Sequence, residues 1–124
     1  MHQHPAICLI VSLLLSAQLT AAEAGDAQRV LHTPGYQVRI TVPCAEGEVS
    51  CEQVQYHGIS KRSGKAIELT GKSHHSLCTD GLTPCRFLGY VFNNGKHRYF
   101  ISEDGRLLVT RGAVVLIDEA GQWQ

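Results

Sequence analysis

The sequence predicts a small all-β domain: an antiparallel barrel or sandwich of about seven short strands, stapled by disulfides. Three observations predict it. Apolar and polar residues alternate with period 2 in several short segments, the pattern of half-buried strands. No window carries the 3.6-residue apolar repeat of a helix over a useful length. Four cysteines, Cys44, Cys51, Cys78 and Cys85, follow an apolar leader. An even cysteine count in a small exported domain reads as a disulfide framework.

The leader is expected to be a signal peptide spanning 1–24. Ala6 to Leu19 is a 14-residue stretch broken only by Ser12, Ser16 and Gln18, short of the roughly 20 residues that span a bilayer. Ala22-Glu23-Ala24 fits an A-x-A cleavage site ahead of Gly25. The segment before the apolar run has no Lys or Arg, only His2 and His4. Cleavage after Ala24 removes Cys8 and leaves residues 25–124 as one secreted or periplasmic domain with no transmembrane anchor.

Gly25 to Pro34 reads as a mixed lead-in with a short helical turn around Ala27 to Leu31. Tyr36 to Val42 alternates without error and is the clearest strand. Pro43 and the first cysteine loop end it. Val54 to Gly58 makes a second strand, Ser60 to Gly64 a hairpin connection, and Ala66 to Thr70 a third strand. Gly71 to Pro84 is irregular, with one short strand around His74 to Cys78 and then a loop. Arg86 to Phe92 is apolar and aromatic, as a central strand should be. Asn93-Asn94-Gly95 signals a tight hairpin turn, because Asn and Gly tolerate positive φ. Arg98 to Ser102, the turn Glu103-Asp104-Gly105, Leu107 to Thr110, Arg111-Gly112 and Ala113 to Ile117 complete a meander. Trp123 is expected to pack as a final lid.

Both cysteine pairs are spaced C-x6-C. Local pairing, Cys44–Cys51 and Cys78–Cys85, is favoured because each enclosed segment carries turn residues: Glu46-Gly47-Glu48 in one, Asp80-Gly81 and Thr83-Pro84 in the other. Crossed pairing would close longer loops and stabilise by only about 1 kcal/mol more, so loop entropy does not choose between them. Zinc is disfavoured, since thiolates of one tetrahedral site usually stand two to four residues apart and the compartment is oxidising.

Charge is balanced, with 11 Lys+Arg against 11 Asp+Glu, and loss of Glu23 with the leader leaves net +1. The balance is uneven along the chain. Between His57 and Arg98 seven cations (Lys61, Arg62, Lys65, Lys72, Arg86, Lys96, Arg98) face only Glu68 and Asp80, a net of +5. A basic middle of this kind fits an anionic partner. His74, His75, Asp80 and several serines are the only material for a hydrolytic or metal site, and none lies in a nucleophile elbow or metal-binding signature. Neighbouring residues on a strand face opposite ways, so His74 and His75 cannot easily share an ion. They read better as polar residues of a surface loop. Glu46, Glu48 and Glu52 lack the Asp-rich pattern of a calcium loop. No catalytic residue, metal or cofactor is expected.

The residues singled out for binding are Lys96, His97, Arg98 and Tyr99 beyond the Asn-Asn-Gly turn, with Arg111. A rigid positive protrusion of this kind can enter a cleft lined by the paired carboxylates of a glycosidase. It can equally serve to keep a hairpin soluble.

Asn94-Gly95-Lys96-His97-Arg98-Tyr99, then Arg111-Gly112-Ala113-Val114-Val115-Leu116 and the Gly-containing acidic tail, resemble the end of the periplasmic and membrane-bound inhibitors of c-type lysozyme. The resemblance covers about 25 residues at the C-terminal end only, and it is one of architecture. Asn94 stands where that family has Ser, Tyr99 lies one residue further on, Arg111 replaces Lys, and the cysteine pattern differs. The resemblance implies a small antiparallel barrel and an Arg111 that faces an enzyme's active site.

The leading expectation is therefore a non-enzymatic binding domain, inhibitor-like or immunity-like, whose partner is a protein hydrolase such as lysozyme or another muralytic enzyme. The alternative is an envelope-associated module that binds an anionic polymer through the basic centre. Nucleic acid is not expected among its partners.

Overall fold

The faultless alternation of Tyr36 to Val42 becomes a strand in which Val38 and Ile40 are fully buried. In the computed structural model the same logic extends over nine antiparallel strands and no helix among the described residues. The structure describes residue 3, residues 26–45 and residues 48–124. The predicted leader and the Glu46-Gly47 turn lie outside them. Among the described residues no helix is long and apolar enough to cross a membrane.

The strands are β1 (Ala27–His32), β2 (Tyr36–Val42), β3 (Val54–Ser60), β4 (Ala66–Leu77), β5 (Pro84–Asn94), β6 (His97–Ser102), β7 (Arg106–Arg111), β8 (Val114–Ala120) and β9 (Gln122–Trp123). The sheet order is β8-β7-β6-β5-β4-β3-β2-β1-β9. Only Gly121 separates β8 from β9 in the chain, so the last strand carries the far edge of the sheet round to the first. Trp123 pairs with Leu31, Gln124 N–H donates to the Val30 carbonyl at 2.8 Å, and Gly35 N–H donates to Glu119 Oε1 at 2.8 Å. The result is a nearly closed up-and-down barrel, which leaves few exposed strand edges.

Two expectations need correction. Ala27–His32 is a strand, not a helical turn: its side chains do favour helix, but the ladders to β2 and β9 on either side override that preference. The strand expected around His74 to Cys78 and the loop after it are present, but the strand is not separate from the one before it. It continues β4 through His74 and His75 to Leu77, with shifts in register against β5 that mark β-bulges. The hairpin signalled by Asn93-Asn94-Gly95 forms, and its two turn residues are Gly95 and Lys96, because Asn94 stays in the ladder opposite His97. Gly95 has φ 60° and among the described residues no non-glycine has positive φ, so the turn places its left-handed residue first, as type II′ does.

Inward-facing residues fill the barrel. Leu31, Val38, Ile40, Val54, Phe92, Ile101 and Leu107 are fully buried, with Tyr56, Tyr90 and Val109 beside them. Small barrels are filled by side chains in this way. Both disulfides form as local pairs, Cys44–Cys51 with Cα atoms 5.8 Å apart and Cys78–Cys85 at 5.0 Å.

Two exposed carboxylates make the fold acid-sensitive. The Thr83 hydroxyl first, then the Thr83 and Leu82 amides, hold the Asp80 carboxyl below its ordinary range. The Arg106 guanidinium does the same for Asp118, through Nε–Oδ1 and Nη2–Oδ2 contacts of 2.5 and 2.9 Å. A carboxyl whose folded pKa is depressed contributes stability above its unfolded pKa and loses it as pH falls through the folded value. An Asp80→Asn/Asp118→Asn double variant is thus expected to be less stable than wild type above about pH 5, with the gap closing below about pH 4. Urea titrations across pH 2–7 would read this, and a gap unchanged at the acid end would refute it.

Candidate functional site

An up-and-down barrel sends alternate connections to opposite ends, and in this chain the two sets carry opposite charge. The connections at one end are residues 33–35, 61–65, 95–96 and 112–113. They hold Lys61, Arg62, Lys65 and Lys96 and no Asp or Glu. The connections at the other end are 43–53, 78–83 and 103–105. Their described residues include Glu48, Glu52, Asp80, Glu103, Asp104, the Cys44–Cys51 bridge and Cys78 of the second bridge, and no Lys or Arg. Arg111, the last residue of β7, adds to the basic end.

One cation of the basic end is committed to structure. Lys61 Nζ donates to the Thr33 carbonyl at 2.6 Å, while its N–H donates to the Gly35 carbonyl at 2.9 Å. That pair of bonds fixes the β3–β4 turn to the β1–β2 turn. Among the described residues no carboxylate lies within 4.0 Å of Arg62, Lys65, Lys96 or Arg111. Their charge is presented to solvent.

The cluster predicted from sequence is partly assembled and partly split. Lys96 sits at the turn, and His97 and Arg111 stand directly opposite each other on neighbouring strands. These three share the basic end. Tyr99 points inward and packs edge-on against Tyr56, ring centroids 5.5 Å apart. Arg98 departs from the group: it faces outward, with its guanidinium 5.6 Å from the Phe100 ring centroid. The same alternation separates the histidines. His74 meets Phe100 on the outer surface, with centroids 5.9 Å apart. His75 lies beside Phe87 at 5.4 Å and helps line a hollow with Val42, Cys51 and Tyr90. Both are half-buried strand residues rather than members of a surface loop.

Within the basic end the barrel mouth holds a cavity of about 180 Å³, lined by Tyr36, Tyr56, Ile67, Tyr99, Ile117 and, at its rim, Lys65. Sequence reasoning missed this convergence. Tyr56 is positioned from beneath by Phe92, centroids 5.2 Å apart, and from the side by a residue that has no side chain. A Cβ on Gly58 would fall 2.6 Å from the Tyr56 hydroxyl, so only glycine lets the phenol lie across the strand. Burial, followed by the nearby Tyr99 and Tyr36 hydroxyls, pushes the Tyr56 pKa well above that of a free phenol, and the group is neutral throughout the physiological range. A larger hollow of about 540 Å³ runs along the first cysteine loop. It is formed by the flank of one acidic loop, without side chains converging from several strands, and it has fewer marks of a built site.

The arrangement can do two things chemically. The turns form a positive rim able to engage an acidic surface, and the mouth offers an aromatic recess with hydroxyl and ammonium donors at its edge. No family, curated protein or solved structure matches the chain.

Proposed function

We propose that the protein is a non-enzymatic binding domain of an extracytoplasmic compartment, exported by its leader, whose basic barrel end docks into the acidic cleft of a cell-wall hydrolase. The observation that carries this reading is the charge segregation of the connections, with every described Lys and Arg of the turns at one end and every described Asp and Glu at the other. Such a dipolar barrel is steered end-on toward a negative partner. Rigid tight turns at that end keep the ordering cost of docking low. Cys44, Cys51, Cys78 and Cys85 are consumed in disulfides, as suits an oxidising compartment. The likeness of the C-terminal segment to the lysozyme inhibitors supports the same class of partner, with Lys96, His97 and Arg111 at the contact.

The test is inhibition of a panel of muralytic enzymes by the oxidised protein. Stoichiometric inhibition and a 1:1 complex on gel filtration are expected with at least one of them. A Lys96→Glu/Arg111→Glu variant is expected to weaken it by at least about 100-fold, as loss and reversal of rim charges should. No inhibition and no complex would remove the proposal. Binding to anionic cell-wall polymer that collapses between about 50 and 200 mM salt would instead favour the envelope-module alternative.

A further inference from the structure

We propose that the mouth cavity is a binding site for a small carboxylate carried on an aromatic or short apolar body. The ring or chain would seat among Tyr36, Tyr56, Tyr99 and Ile67, and the carboxylate would lie between the phenol hydroxyls and the Lys65 ammonium. This goes beyond the docking reading and does not rest on it, since the ligand enters the barrel whereas a hydrolase would meet the turns around it.

Size sets the first limit. The cavity measures about 180 Å³, and an apolar void of about 150 Å³ is enough to hold a benzene ring. One ring or a short chain fits, and an oligosaccharide or a long acyl chain does not. The walls set the second. Aromatic and aliphatic side chains from five strands converge there, and Tyr56 is held before any ligand arrives by a tilted contact with Phe92 and an edge-to-face contact with Tyr99. A pre-formed apolar recess with few polar groups at its edge is the usual form of a small-molecule site.

The polar groups indicate which head group the recess would take. Tyr56 is only 3% exposed, yet among the described residues no protein group bonds its hydroxyl, and no buried polar atom is sealed off without a partner. Its O–H therefore opens onto the cavity, where a buried donor needs an acceptor. Lys65 stands at the rim with no carboxylate within 4.0 Å among the described residues. Arg62, Lys96 and Arg111 add positive potential at the same end. An anionic acceptor satisfies the phenol and the ammonium together, through charge-assisted hydrogen bonds. A phosphate would bring more charge and more oxygens than one ammonium and the phenols can satisfy, so a carboxylate fits better.

The experiment titrates the oxidised protein with benzoate, hexanoate and benzyl alcohol, following amide and tyrosine resonances by NMR. Saturable shifts confined to the mouth are expected for both carboxylates, with benzoate at least about tenfold tighter than the uncharged benzyl alcohol. Lys65→Gln, an exposed change that leaves the core intact, is expected to erase that preference while sparing benzyl alcohol binding. Tyr99→Phe, which keeps the ring, is expected to weaken benzoate by a few-fold. Absence of saturable shifts at up to about 10 mM ligand, equal affinity for benzoate and benzyl alcohol, or an unaltered preference in the Lys65 variant would each overturn the proposal. None of these results depends on whether a hydrolase is inhibited.

Discussion

A Gly89→Ala chain is expected to lose at least about 3 kcal/mol of stability, a large share of the roughly 5–15 kcal/mol that a small domain possesses. Gly89 lies on β5 between two neighbours, opposite His74 on β4 and Ser102 on β6. Its φ is 146°, where an L side chain is strained before any packing is considered. Space is refused as well. A Cβ there would meet the Ile101 carbonyl oxygen at 2.1 Å and the Ser102 Cα at 2.9 Å, and neither backbone atom can swing aside. The residue also sits where the register against β4 shifts, at the bulge that helps bend the sheet toward closure. Gly64→Ala is the matched control: its φ is 71°, but nothing lies within 4 Å of the added carbon. It should cost about 1 kcal/mol, from backbone strain alone. Urea unfolding of the two variants separates strain from collision. A Gly89 variant within about 1 kcal/mol of wild type would mean that β5 and β6 do not approach as closely as described.

How far the sequence discloses this barrel depends on whether a signal is local. Tyr36 to Val42 is read correctly because each residue's environment follows from its neighbours two places away. β1 is misread because Ala, Gln, Arg and Leu carry helical preference, while what holds them extended is pairing on both edges, with β2 on one side and with Trp123, far along the chain, on the other. β4 is read as two pieces because Gly71 looks like a break. In the folded barrel it is the place where the Val91 carbonyl presses against the strand, 2.0 Å from where a Cβ would be. The basic cluster shows the same division. Lys96 to Tyr99 is contiguous in sequence, but strand alternation sends Arg98 outward and Tyr99 into the core, and only pairing brings Arg111 to His97. The charge polarity was legible in principle. Lys-Arg-Ser-Gly-Lys, Thr-Asp-Gly, Gly-Lys and Glu-Asp-Gly follow one another as turns of alternating sign, and a meander sends alternate turns to opposite ends. The mouth cavity was not legible. Tyr36, Tyr56 and Tyr99 share no motif, and Lys65 joins them only through the curvature of the sheet.

The two disulfides are expected to stabilise the barrel unequally, although loop entropy treats them alike. Each closes a loop across seven positions of sequence, and the chain-entropy estimate gives each about 2.5 kcal/mol. Their surroundings differ. Cys51 is buried in the main core with Cys44 packed beside it, and its backbone exchanges bonds with Ser73. Cys51 N–H donates to Ser73 Oγ at 2.8 Å, and Ser73 N–H donates to the Cys51 carbonyl at 2.7 Å. A Cys44→Ala/Cys51→Ala variant therefore loses packing as well as the loop constraint, and should cost about 3–5 kcal/mol. Around Cys78–Cys85 the loop has its own ties. Cys78 N–H donates to the Thr83 carbonyl at 2.8 Å, and Asp80 accepts from the Leu82 and Thr83 amides and the Thr83 hydroxyl. A Cys78→Ala/Cys85→Ala variant should lose no more than about 2.5 kcal/mol. Removing both would cost up to about 7.5 kcal/mol, more than the roughly 5 kcal/mol at the lower end of what a small domain possesses, so the fully reduced chain is expected to be mostly unfolded at 37 °C. Urea midpoints of the three variants test the ordering. Equal losses, or a larger loss at Cys78–Cys85, would show that the first bridge is not tied to the core as described. A four-alanine chain that still unfolds cooperatively near the wild-type midpoint would show that the barrel does not depend on its two disulfides.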